Sequence, residues 1–336
     1  MKNNFDKILI IHPGGIGDLI MFTPVIKILK NNFPSAKIDI FAGYTPESAG
    51  VFEEGDIINK FFAVDFRKNS LFDKLKFIYK LRKEKYDLCL LPADTNFLKA
   101  GIVNFLIGAK KGIGGGNHKD KHKIEANIDL LKILNLKIDY PLPTPFLNFD
   151  KERKFAEEFI EKNNLKNRTL VGFSIGSGTK QRFKLWPKEN FIKLGQKLLE
   201  NNPDNFIILF GSPSEKEVCS EVKNYLGKNA VLITGQTLSQ AAALIDKCRI
   251  FVTSDIGPCH IAAVTKTDLI VIFGPTIPER TGPFGPNVHI ISGECSNRYH
   301  DIFTPKYDIN KEHQCLKKIT PDIVFNKIEE IIKHEQ

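Results

Sequence analysis

The chain has 336 residues, 42% hydrophobic and 26% charged, and carries a formal net charge of +9. That length exceeds one ordinary core and fits two domains. The basic balance is spread evenly, with 22 Lys/Arg against 17 Asp/Glu over residues 1–150 (+5) and 26 against 22 over the rest (+4). No basic arm of the kind a nucleic-acid binder shows is present, so nucleic acid is not an expected partner. No apolar run approaches the roughly twenty residues of a membrane span, and the run at 8–11 is far short of a signal segment. A cytoplasmic protein is expected, and its basic surface suits peripheral contact with anionic inner-membrane lipid.

Short apolar runs alternate with amphipathic segments, the pattern of parallel sheets covered by helices. In the first half, strands are predicted at 7–11, 38–42, 61–64 and 88–91, and helices at 18–30, 71–83, 96–107 and 124–134. Pro141, Pro143 and Pro145 interrupt the alternation as an interdomain link. A helix at 152–163 fits either half. Strands follow at 170–173, 206–210, 230–233, 250–252 and 269–273, with helices at 188–200, 215–226, 239–246, 259–264 and 321–333. The expected fold class is α/β, built from two doubly wound Rossmann-like halves, residues 1–150 and 151–336. The C-terminal helix is able to pack back on the first half. Such sheets bind ligands beyond their strand C-termini, so the expected site is a cleft between the halves.

Four strand ends carry candidate chemistry. The first strand runs into His12-Pro13-Gly14-Gly15-Ile16-Gly17-Asp18. Ile20 stands where a dinucleotide fingerprint needs its third glycine, so nicotinamide binding is disfavoured. Asp18 can act as a simple helix cap. The glycines around it suggest instead a carboxylate beside a ligand, in reach of a hydroxyl proton. After the strand at 170–173, Ser174-Ile175-Gly176-Ser177-Gly178-Thr179 precedes Lys180, Arg182, Lys184 and Trp186-Pro187, a phosphate cradle by composition without Walker spacing. Trp186 reads as a packing anchor. In Gly211-Ser212-Pro213-Ser214-Glu215, the glutamate is either a first-turn helix acid or a ribose ligand.

The most informative stretch is Thr253-Ser254-Asp255-Ile256-Gly257-Pro258-Cys259-His260, a strand end, a tight turn and a small-residue helix start. It suits an anion on the helix N-terminus, with Asp255 beside it for a sugar hydroxyl. The strand at 269–273 closes with Gly274-Pro275-Thr276. The six cysteines, Cys89, Cys219, Cys248, Cys259, Cys295 and Cys315, form no C-x-x-C pair and read as reduced thiols. Cys295 with His300, and His313 with Cys315, are poorly spaced for zinc. His118 and His122 sit in what reads as an exposed loop with Lys119 to Lys123.

Taken together, Gly14-Gly15-Ile16-Gly17-Asp18 with Thr23-Pro24, Lys184-Leu185-Trp186-Pro187, Gly211-Ser212-Pro213-Ser214-Glu215, Ser254 to His260, and Phe273-Gly274-Pro275-Thr276 resemble the ADP-heptose:lipopolysaccharide heptosyltransferases, glycosyltransferase family 9. The blocks run in order over residues 7–285, and the region of Cys295 and Cys315 is similar to that family's cysteine-bearing tail. The resemblance implies a GT-B fold, with the acceptor on the N-terminal half and the nucleotide-sugar donor on the C-terminal half. It implies inverting transfer without metal or other cofactor, from ADP-heptose to a lipid-linked or oligosaccharide acceptor of the lipopolysaccharide core or another surface glycan. Asp18 would be the general base. Lys184 would offset charge on the leaving ADP and, with Thr179, steady the diphosphate. Gly17 would flank the donor, Glu215 would hold its ribose and Asp255 its sugar hydroxyls. The backbone of Gly257, Pro258, Cys259 and His260 would receive the phosphates.

Three positions depart from the family pattern. His12 stands where Arg is common, Leu90-Leu91-Pro92-Ala93-Asp94 replaces an acidic-polar pair, and Ile256 and Cys259 replace Thr and Met or Ser. Other enzyme readings are transfer from a different nucleotide sugar and sugar-nucleotide epimerisation. A non-catalytic nucleotide-sugar binder stands outside that class.

Overall fold

A computed structural model of the chain describes residues 4–43, 52, 57–65, 69–116, 120–176, 182–295, 298 and 314–333. They form two compact units, Met1–Asn148 and Phe149–Gln336.

In the first unit, β1 (Lys7–His12), β2 (Lys37–Ala42), β3 (Lys60–Ala63), β4 (Leu88–Leu90) and β5 (Lys111–Ile113) make a sheet of order β3-β2-β1-β4-β5. Every pairing is parallel. Ile8, Leu9 and Ile10 of β1 are fully buried, as a central parallel strand covered on both faces requires. The helices are α1 (Ile16–Asn32), α2 (Leu71–Lys83), α3 (Phe97–Ile107) and α4 (Lys123–Asp129). Inside α1, Pro24 has no N–H to offer the Ile20 carbonyl. The Thr23 hydroxyl donates to that carbonyl instead at 2.7 Å, while accepting from the Phe146 N–H at 2.9 Å. The predicted helix at 124–134 is α4 followed by a tighter 3-10 segment, Leu130–Leu134.

The second unit opens with α5 (Arg153–Lys162). It continues as β6 (Thr169–Ser174), α6 (Lys188–Asn201), β7 (Asn205–Gly211), α7 (Lys216–Leu226), β8 (Ala230–Thr234), α8 (Leu238–Ile245), β9 (Ile250–Ser254), α9 (Gly257–Ala262), β10 (Asp268–Phe273), α10 (Pro278–Thr281), β11 (Val288–Ser292), α11 (Gln314–Lys317) and α12 (Pro321–Lys333). Its sheet, again parallel throughout, has the order β11-β10-β9-β6-β7-β8. Val324, Phe325, Ile328 and Ile331 of α12 enter the core of the second unit with Trp186, Phe191 and Leu194.

One expectation about the cysteines is corrected here. Cys295 and Cys315 are joined in a disulfide across 20 residues of sequence, whereas Cys89, Cys219, Cys248 and Cys259 are free and buried. The C-x-x-C spacing that sequence reading looks for describes local pairs. Here the two partners lie on opposite sides of a long connection.

Candidate active site

In each unit the site residues gather where the strand order reverses. The first unit reverses between β1 and β4, and the second between β6 and β9. Connections leave such neighbouring strands in opposite directions, so their C-terminal ends open a crevice.

At the β1 end, Asp18 occupies the first turn of α1, and its Oδ2 accepts the Gly15 N–H at 3.0 Å. Its Oδ1 accepts from the Lys123 Nζ at 2.6 Å. Lys123 opens α4 and also pairs with Asp94 beyond β4, at 3.1 Å. Two local bonds set this arrangement. His122 caps α4 by accepting the Ile124 N–H on Nδ1, and buried Asn127 accepts the Ala93 N–H, tying the Asp94 loop to α4. A Cβ on Gly14 would lie 2.7 Å from the His12 ring and 3.0 Å from the Asp18 Cβ, so only glycine lets the chain pass between them. Burial by itself would raise the Asp18 carboxyl. The Lys123 charge and hydrogen bond outweigh it and, with the Gly15 N–H, hold the pKa at about 2. His12, only 2% exposed, is driven the other way by burial, down to about 4, against the opposing pull of Asp18. The imidazole is therefore neutral at pH 7, with its edge against Phe22.

At the β6 and β9 ends, Lys184 Nζ lies 2.8 Å from Asp255 Oδ2, and both side chains are almost wholly buried. Thr276, just past β10, donates its hydroxyl to the same oxygen at 2.7 Å. Buried Ser254 accepts the Trp186 N–H at 2.9 Å, fixing the segment that carries Lys184 to the end of β9. Trp186 is the packing anchor expected. It is 1% exposed, edge-on to Phe191, and its Nε1 donates to the Ile319 carbonyl. Thr179 lies outside the described residues.

Glu215 takes its bland role at least in part, since its Oε2 accepts the Ser212 N–H at 2.7 Å in a capping box. It also comes close to the phosphate-cradle loop, because a Cβ on Gly176 would sit 2.3 Å from the Glu215 Cδ. Gly257, Pro258, Cys259 and His260 form the start of α9, where the Cys259 N–H is already taken by the Ile256 carbonyl. Gly17 is buried in the first turn of α1, in the unit that holds Asp18. Asp255, Cys259 and His260 bring ligand atoms within 4.8 Å of one another. They make a poor cation site, because Lys184 already neutralises Asp255, while burial and that carboxylate hold the Cys259 thiol protonated.

Sequence reading missed Lys123. It closes a run of lysines that reads as solvated loop. The available signal is its position directly before the apolar series Ile124, Ile128 and Leu131, which makes it a first-turn residue beside a strand end.

The profile of glycosyltransferase family 9 (heptosyltransferase) matches residues 74–303. The chain is 27% identical to lipooligosaccharide heptosyltransferase 2 of Haemophilus ducreyi, over 97% of this chain and 99% of that protein. Among solved structures, it superimposes on a glycosyl transferase family 9 protein from Veillonella parvula with a TM-score of 0.82 at 20% identity, covering 99% of both chains. It superimposes on ADP-heptose LPS heptosyltransferase II of Escherichia coli with a TM-score of 0.77 at 22% identity, covering 98% of this chain and 99% of that one. The fold is that of a GT-B glycosyltransferase. The chain belongs to glycosyltransferase family 9.

Proposed function

We propose that this glycosyltransferase moves a heptose from ADP-heptose to a lipid-linked acceptor of the lipopolysaccharide inner core. In this reading it inverts the anomeric centre, uses no metal or other cofactor, and acts at the cytoplasmic face of the inner membrane. The observation that carries the reading is Asp18, an ionised carboxylate fixed by Gly15 and Lys123 at the strand reversal of the first unit. The names of the full-length relatives support the donor and the acceptor class.

The acceptor oxygen bonds to the anomeric carbon as the bond from that carbon to the diphosphate breaks. The acceptor proton passes to Asp18 and ADP departs. A carboxylate held at a pKa of about 2 has little proton affinity, so it takes the proton late, once bond formation has made the hydroxyl acidic. Lys184 supplies the positive charge for the diphosphate that a divalent cation provides in other transferases. Glu215 and Asp255 are the ribose and sugar ligands, and Thr179 and the start of α9 contact the phosphates.

A thermal-shift panel of ADP, ADP-heptose, UDP, GDP, CMP and NAD tests the donor. Stabilisation by ADP and ADP-heptose alone is expected, by about 2.7 kcal/mol at a hundredfold excess over Kd. A preference for UDP or GDP would remove heptose from the reading. No response to any of the six would remove the donor site.

A further inference from the structure

Two neighbouring helices of the first unit expose far more apolar surface than their own core uses. In α2 only Leu81 is fully buried, and in α3 only Ala100 and Ile107. Leu98, Ile102 and Phe105 are spaced four and three apart and so share one face of α3. That face points away from the core, with exposures of 74%, 60% and 77%. Phe72 (74%) and Tyr79 (59%), seven apart, share the outer face of α2. The two helices are locked side by side, because the Arg82 guanidinium of α2 donates to the carbonyls of Phe105 and Leu106 at the end of α3. The exposed residues therefore form one patch. Scattered surface leucines need no explanation, but a contiguous apolar area with aromatic members does.

The charge around the patch says what it meets. Residues 71–111 hold nine Lys/Arg against four Asp/Glu, a net +5 equal to that of the whole first 150 residues. Lys76, Lys80 and Lys83 recur at helical spacing along α2 and line one shallow groove with Val64, Phe77 and Tyr79; its two carboxylates are Asp73 and Glu84, and Glu84 is paired with Lys7 and Lys60. Among the described residues none of these three lysines has a carboxylate partner. Lys80 and Lys83 lie instead over the Phe62 and Tyr79 rings. Among the described residues, no helix is long and apolar enough to cross a membrane. An apolar face flanked by lysines, with aromatic rings at its margin, is the composition of a surface that lies in a bilayer interface. A second protein would need carboxylates set against the lysines around an apolar centre. An anionic bilayer offers both chemistries everywhere on its surface.

We infer that the outer face of α2 and α3 docks this protein on an anionic phospholipid bilayer, with Phe72, Leu98, Ile102 and Phe105 entering the headgroup–acyl boundary and Lys76, Lys80 and Lys83 meeting lipid phosphates. The inference deepens the membrane-facing part of the proposed function by naming the surface, and it does not depend on the donor or the reaction.

Co-sedimentation of the full chain with vesicles, in the absence of any sugar donor or acceptor, tests it. Binding is expected to phosphatidylglycerol–phosphatidylethanolamine vesicles and to be much weaker with phosphatidylcholine alone. Lys76→Gln/Lys80→Gln/Lys83→Gln should reduce partitioning by on the order of tenfold or more. Leu98→Gln/Ile102→Gln/Phe105→Gln should do the same and abolish the part of the binding that survives high salt. These side chains point to solvent, so unchanged melting temperatures and ADP responses show that the variants are folded. Failure of the wild-type chain to sediment with anionic vesicles would overturn the proposal, as would full binding by the apolar triple variant. Sedimentation velocity covers the remaining occupant. A dimer that the apolar substitutions dissociate, without vesicle binding, would assign the face to a second copy and overturn the bilayer.

Discussion

Lys123 Nζ donates to Asp18 Oδ1 at 2.6 Å, so the candidate base carries its own counterion, delivered from a helix that begins 105 residues further along the chain. The pair explains why a half-buried carboxylate stays ionised, and it sets what each partner's removal does. Asp18→Asn keeps an acceptor for the Gly15 N–H but loses the proton acceptor. Turnover should fall by about 10²–10⁴-fold, the range for a lost general base. Melting should shift by only a few degrees, and donor binding by thermal shift should persist.

Lys123→Met removes the charge that depresses Asp18, leaving burial to push the carboxyl upward. In the wild-type enzyme the acid limb of kcat/KM assigned to Asp18 should lie below pH 4. In the variant it should move up by a unit or more. A pH–rate profile with the limb unmoved would mean that Lys123 does not control Asp18.

His12 gives the first unit a pH-dependent stability. Its folded pKa is about 4 against 6.5 in a model peptide, so between those values the unfolded chain binds the proton and the folded chain does not. Stability is then full above pH 6.5 and declines as pH falls towards 4, by about 3 kcal/mol. Asp18 adds to the decline only lower down, between 3.8 and about 2, where the unfolded carboxyl protonates first. Urea unfolding at pH 7 and at pH 4.5 should show the loss in wild type and a much smaller one in His12→Asn.

Lys184→Ala should do two separable things. It leaves Asp255 charged and buried, which costs about 3–5 kcal/mol of stability, and it removes the cation from the leaving group. Lys184→Met combined with Asp255→Asn discharges both partners and should recover most of the stability with no recovery of kcat. Equal recovery of both would make the pair structural.

Glu215 has a capping role and a proposed ribose role that substitutions can divide. Glu215→Gln retains an oxygen for the Ser212 N–H, so stability should hold within about 0.5 kcal/mol while ADP affinity weakens. Glu215→Ala should also lose the cap, at about 1 kcal/mol. Calorimetric titration of ADP alongside denaturation separates the two.

The α/β alternation was legible because a parallel strand buried on both faces is a continuous apolar run, as in β1, β9 and β10. The two strands that escaped are edge strands. β5 has three residues with only Ile113 buried, and β11 is half exposed along its length. Neither offers enough buried positions to make a period. Asp18, Lys184 and Asp255 stood out because each lies in the loop or first helical turn that follows a strand. Lys123 did not, because nothing in a run of lysines marks the one that turns inward. Nor can sequence alone indicate that Lys184 and Asp255 satisfy each other, since 71 residues separate them and only the β6–β9 pairing brings them together.

The Lys184–Asp255 pair has a consequence for selectivity. Because its ammonium is already compensated by Asp255, Lys184 is no bare cation for inorganic phosphate, sulfate or other small anions that a cell holds in abundance. A ligand gains from Lys184 only if it also gives Asp255 and Thr276 something to hold, as hydroxyl groups on a sugar would. The site thereby asks for two chemistries at once, and a molecule bringing only one of them must break a buried ion pair without replacing it.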